Sequence, residues 1–177
     1  MFNNCRDNFY SRPHSYHGHV ADGLDDRRLA AWRAFLMAHA TVVDRLDREL
    51  QEEHGLALTW YEVLLHLNRA PDHRLRLSEL ADRLVLSRSG LTRLVDRMVA
   101  AGLLERAVCR TDRRGAFAVL TPDGLSRLRK AAPTHLRGVE QHFTGLLADD
   151  ELRAIRTGLA KVAEGGRGAA LRSDPGC

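Results

Sequence analysis

Lysine is nearly missing from this chain. Lys130 and Lys161 are the only two among 27 basic residues, and arginine carries the rest of the positive charge. A guanidinium is planar and offers a fork of donors, so arginine suits bidentate contact with phosphate and guanine edges better than lysine does. A high-GC genome is the blander source of the same bias and accounts equally for the abundance of alanine and leucine. Cysteine is scarce and scattered: Cys5, Cys109 and Cys177 are odd in number and far apart, which excludes a disulfide framework and a paired metal motif. No apolar run approaches the roughly 18 residues of a membrane span. Residues 1–23 lack the apolar segment of a signal peptide, so a cytoplasmic protein without a membrane partner is expected. There is no nucleophile elbow, phosphate-cradling glycine loop or HExxH motif, and no internal repeat. No catalytic residue, cofactor or metal site, and no enzyme, is expected.

What is present fits one globular domain. The chain has 177 residues, 44% hydrophobic and 28% charged, enough for one real core and too short for two generous ones. A net charge of +4 has the sign that suits nucleic acid but is mild for a protein that coats DNA. Residues 1–23 read as a flexible tail, 24–164 as the domain, and 165–177, rich in Gly, Ala, Ser and Pro, as a disordered tail. Leu29, Trp32, Leu36, His39, Val43, Leu46 and Leu50 recur at spacings of three and four, one face of a long helix that Gly55 ends. Thr59 is expected to cap a helix over about 60–69, with Val63, Leu64 and Leu67 inward and Pro71-Asp72 after it. Arg74-Leu75-Arg76 alternates like a short strand.

The densest information lies between 78 and 120. Ser78 is expected to begin a helix burying Leu80, Ala81 and Leu84, Val85-Leu86 to make a turn, and Ser87 to cap a helix ending at Gly102. Leu91, Leu94, Val95 and Met98 share the buried face of that second helix, with Leu86 helping to lock it in place. Arg88, Ser89, Thr92, Arg93, Asp96 and Arg97 are left outward. Short hydroxyls and long guanidiniums near a helix start are what a major groove accepts, and the free N–H groups there suit a phosphate. Two β-prone runs, Leu103–Cys109 and Ala116–Leu120, flank a basic turn, Arg110 to Gly115, whose Arg113 and Arg114 can reach a DNA groove. Thr121-Pro122-Asp123 opens another helix. Its Leu125, Leu128, Ala132, Leu136, Val139, Phe143 and Leu146 repeat every seven residues, with Pro133 expected to kink or break it. Asp149 is expected to cap a last helix carrying Leu152, Ile155, Leu159 and Val162.

Leu77-Ser78-Glu79-Leu80-Ala81, Ser87 to Arg97, Gly102 to Arg106, and Asp112 to Gly115 through Leu120-Thr121-Pro122-Asp123-Gly124 resemble the multiple antibiotic resistance regulator (MarR) family. The likeness covers about residues 27–163. It implies a mainly α, winged helix-turn-helix subunit of six helices with a small β-hairpin wing, whose 78–120 region reads DNA. It implies a homodimer held by helices in 24–54 and 121–164 on a palindromic operator. Ser87 to Arg93 would face the major groove, Arg114 would enter the minor groove with Asp112 orienting the wing arginine, and Arg113 would take a phosphate; Arg97 and Arg110 complete the expected DNA-binding set. Val85 departs from the glycine many helix-turn-helix motifs carry, which winged forms tolerate because their turn often differs. The helix length supports a dimer independently. About 30 helical residues extend roughly 45 Å, beyond what a small winged domain covers, and a two-fold pair sets reading helices about 34 Å apart. Packing of the two long helices on each other is the alternative.

Family members commonly release DNA when a small aromatic or phenolic anion binds. Trp32, His39, Trp60 and His66 are the residues expected to line such a cleft, against the plainer role of core or dimer packing. Two other triggers are weighed: a metal held by Cys5, His14, His17 and His19, against a solvated tail, and a thiol at Cys109 beside Arg110. A ligand-released repressor is therefore expected, with a non-specific or architectural DNA-binding protein, or a metal- or thiol-responsive regulator, as alternatives.

Overall fold

The computed structural model describes residues 25–108 and 116–170, the stretch 166–170 by its backbone. Among these residues the helices are α1 (Asp26–His54), α2 (Leu58–Arg69), α3 (Leu77–Leu84), α4 (Arg88–Ala100), α5 (Pro122–His142) and α6 (Asp149–Ala170). The strands are β1 (Arg74–Arg76), β2 (Leu104–Val108) and β3 (Ala116–Leu120). They form one antiparallel sheet in the order β1-β3-β2. No helix is long and apolar enough to cross a membrane among the described residues.

Contacts divide the chain into two units inside α1, between Met37 and Ala38. In the N-terminal unit, Asp25 Oδ1 accepts the Arg28 N–H at 2.8 Å and opens the helix. The Trp32 and Phe35 rings stack at 5.9 Å, and Leu36 and Met37 are exposed beside them in sequence. In the larger unit, Leu50, Val63, Leu64, Leu67, Leu80, Val95, Met98 and Ala118 are fully buried. Each comes from the inward face that its helix or strand period sets. Gly55 takes φ 56° and ends α1, the left-handed stop that its position predicts.

The later part of α1 and α5 meet along a polar seam. Thr134, 3% exposed, donates its hydroxyl to Glu53 Oε2 at 2.7 Å, which leaves its oxygen to accept His54 Nε2–H at 2.8 Å. Arg137 reaches Glu53 Oε1 at 2.7 Å, and Arg127 donates to the His54 carbonyl. The Thr134 hydroxyl and the Arg137 guanidinium hold the Glu53 carboxyl below its usual range. One turn back along α1, His142 Nε2 and Glu49 Oε1 lie 2.5 Å apart, with Arg45 on the other ring nitrogen at 3.3 Å.

Several local expectations change. Helix α2 begins at Leu58 after Ala57, not after Thr59, because Asp47 of α1 accepts the Leu58 N–H at 2.7 Å; the cap is tertiary rather than local. Ser78 lies inside α3, which starts at Leu77. Leu86 is 37% exposed and leaves the locking role to Leu91 and Leu94. Helix α5 runs unbroken through Pro133 and buries Gly124, Leu128, Ala131, Thr134 and Gly138, while Leu136 of the seven-residue pattern is 64% exposed. Asp149 is the first residue of α6, not its cap; Glu151 accepts the Ala148 N–H at 2.8 Å. Helix α6 also continues past Gly165 to Ala170, so the expected tail shortens at its near end.

Candidate nucleic-acid interface

The reading element is built by three local devices. Ala81, 2% exposed, lets α3 and α4 approach, and its carbonyl accepts the Leu86 N–H at 3.0 Å. Val85 then turns the chain at φ 53°, ψ 41°, a left-handed conformation in which a β-branched side chain is an outlier. The turn therefore keeps the glycine-like geometry despite its residue. Ser87 Oγ accepts the Gly90 N–H at 3.1 Å and starts α4.

Helix α4 is divided as its sequence requires. Leu91, Leu94, Val95 and Met98 are at most 5% exposed, whereas Arg88, Ser89, Thr92, Arg93 and Arg97 are all exposed. A groove on this outer side is lined by Gly90, Arg93, Asp96 and Arg97. A Cβ on Gly90 would stand 3.0 Å from Ser87 Oγ, so glycine keeps the first turn open. Thr92 donates its hydroxyl to the Arg88 carbonyl at 2.9 Å, leaving the oxygen as an acceptor. Asp96 is the one carboxylate of α4, and Arg106 of β2 neutralises it at 2.7 Å. That pair also ties α4 to the sheet, and sequence reasoning missed it. Its signal was present: Arg106 shares a sheet face with Leu104, toward the core, at the strand beside α4.

The wing strands pair from Leu104↔Leu120 to Val108↔Ala116. Cys109, Arg110, Asp112, Arg113 and Arg114 lie outside the described residues, as do Cys5, His14, His17 and His19. Among the described residues no cluster of three His, Cys, Asp or Glu side chains is placed to hold a metal. On the outer sheet face the Arg74 and Arg76 guanidiniums stand 5.6 and 5.3 Å from the Phe117 ring centre.

The four expected effector residues divide. Trp32, 56% exposed, is in the N-terminal unit; His39, Trp60 and His66 are in the larger one. Trp60 is half-buried against the core, and His66 is half-buried on α2, one turn after Glu62. Burial lowers the His66 imidazole, with Arg83 and Arg69 adding to the effect. Burial raises the Glu62 carboxyl, opposed by the charge of His39. His39 and Glu62 thus feel each other electrostatically, which the sequence did not indicate.

The model of the MarR family matches residues 54–115. The uncharacterised HTH-type transcriptional regulator YkoM of Bacillus subtilis is 30% identical over 131 residues, spanning 73% of this chain and 82% of its own. Two solved MarR-family regulators of Streptomyces coelicolor share the fold with a TM-score of 0.77. AbsC is 38% identical, over 84% of this chain and 99% of its own. Sco3205, solved in complex with DNA, is 33% identical, over 84% of this chain and 92% of its own.

Proposed function

The chain belongs to the MarR family of transcriptional regulators, and on that premise we propose that it is a homodimeric, DNA-binding repressor of a palindromic operator, acting in the cytoplasm and released by a small aromatic or phenolic acid. The observation that carries the reading is the outer face of α4. Arg88, Arg93 and Arg97 are displayed with Ser89 and Thr92, the one carboxylate is neutralised by Arg106, and a relative at 33% identity is solved on DNA. Ser87 to Arg93 read the major groove in this account. Arg97 and Arg110 support the backbone, Arg114 enters the minor groove with Asp112 steadying it, and Arg113 takes a phosphate.

The apolar surface supports the dimer. Trp32, Met37, Leu136, Leu146 and Val162 are each more than half exposed, on α1, on α5 and the turn after it, and on α6. Large apolar surface left in water marks an interaction site, and a second copy is the occupant that gives two reading helices on one duplex. For release, Trp60, His66 and His39, all of the larger unit, offer a ring to stack on and hydrogen-bonding imidazoles.

A footprint on the DNA upstream of its own gene tests this reading. Two protected patches one helical turn apart, about 34 Å, are expected, and an aromatic acid from a screened panel should erase both together. A single protected patch would contradict the dimer, and protection unmoved by every acid would remove the effector.

A further inference from the structure

The outer face of the sheet carries a feature that the reading helix and the wing tip do not absorb. Strand β1 pairs with β3 in the register Arg74↔Val119 and Arg76↔Phe117. Leu75 between them points to the core and is 4% exposed, so period-two alternation sends both arginines to the opposite face. There the two guanidiniums share one aromatic platform, Phe117, at 5.6 and 5.3 Å. Cation–π contacts at an exposed site gain little for folding. The arrangement is suited instead to a polyanion.

We propose that Arg74 and Arg76 form a lateral clamp on the DNA backbone, each taking a phosphate beside the groove that the wing enters. The proposal rests on the DNA-binding reading above and adds contacts to it. Placement and chemistry argue for it together. Phe117 is the second residue of β3, next to Ala116, so the platform lies on the wing strand at the end away from the core. The clamp thus sits on the sheet that carries the wing strands. A guanidinium has five N–H donors in a fork, so the ion pair of Arg74 with Asp72 at 3.4 Å leaves donors for a second acceptor. The Phe117 ring limits the freedom of both side chains, which lowers the ordering cost of binding. Contacts of this kind position the protein and carry no sequence information.

The test is the salt dependence of binding, measured by fluorescence anisotropy on the upstream DNA and on a scrambled duplex of equal length. Each neutralised phosphate contributes about 0.9 to the slope of log affinity against log salt. The double variant R74Q/R76Q should therefore lose about 1.8 from the slope, so that wild type weakens about twelvefold more than the variant between 50 and 200 mM salt. At low salt the variant should bind both duplexes more weakly by the same factor, leaving their ratio unchanged. R74K/R76K, which keeps the charges, should keep the slope. An unchanged slope in R74Q/R76Q overturns the clamp and leaves the pair to some acidic protein partner. A loss confined to the upstream DNA overturns it as well, because it assigns the arginines to base reading. A slope lost in both double variants overturns it too, since it points to the platform's structure rather than its charge. Wild type that does not discriminate the two duplexes would sink the repressor reading, while the slopes on either duplex still decide the clamp.

Discussion

Val85 holds the helix-turn-helix corner in a conformation that L-residues with branched side chains avoid. The left-handed region costs such a residue about 1–2 kcal/mol, and Val85 recovers little of it by packing, since 91% of its surface is exposed. Glycine would remove that cost and add back about 0.5–1 kcal/mol of chain entropy. Val85→Gly should therefore raise stability by about 0.5–1 kcal/mol, read as a melting temperature higher by roughly 1–4 °C, with DNA affinity kept. A lower melting temperature would show that the valine is held by something other than strain. The sequence shows the departure from glycine at once. It does not show that the corner keeps the left-handed turn, because a turn's dihedrals follow from the two helices it joins. Side chains that act at a distance are harder still to read. Asp96 looks like an ordinary exposed acid until Arg106, on another element, is placed 2.7 Å away.

Helix α5 shows how a sound apolar period can still miss residues at the centre of a buried face. Of its apolar pattern, Leu128 is buried and Leu125, Ala132 and Val139 pack partly buried against the core, yet Leu136 is exposed and the rest of the buried face is Gly124, Ala131, Thr134 and Gly138. Small residues permit close approach: a Cβ on Gly138 would stand 2.6 Å from both Leu46 Cδ2 and Glu49 Oε2. Counting large apolar residues cannot find such a face. Gly138→Val should separate α1 from α5, disturb the Glu49–His142 pair and cost about 1–3 kcal/mol in denaturant unfolding, the range for overpacking. Unchanged stability would mean that the seam yields freely. By contrast, α4 and the wing strands were legible residue by residue. Ser87, Thr121 and the glycines at 55 and 102 act through their own neighbours. Where the cap came from elsewhere, as Asp47 does for α2, local reading placed the start too late.

At the scale of the whole molecule, the proposed repressor gives one use to the apolar side chains left exposed on α1, α5 and α6 and to the cations displayed on α4 and β1: two copies would join through the first and present the second to one duplex. The mild net charge of +4 fits a protein that gains its affinity from placed arginines rather than from bulk attraction. Specificity, more than affinity, is therefore the property at stake. The direct measurement is the dissociation constant of the full-length protein for the DNA upstream of its own gene and for a scrambled duplex, at one salt concentration near 0.15 M. A repressor should hold the upstream DNA about 10³-fold or more tighter than the scrambled duplex. Equal affinity for the two would contradict the account and leave a non-specific DNA-binding protein in its place.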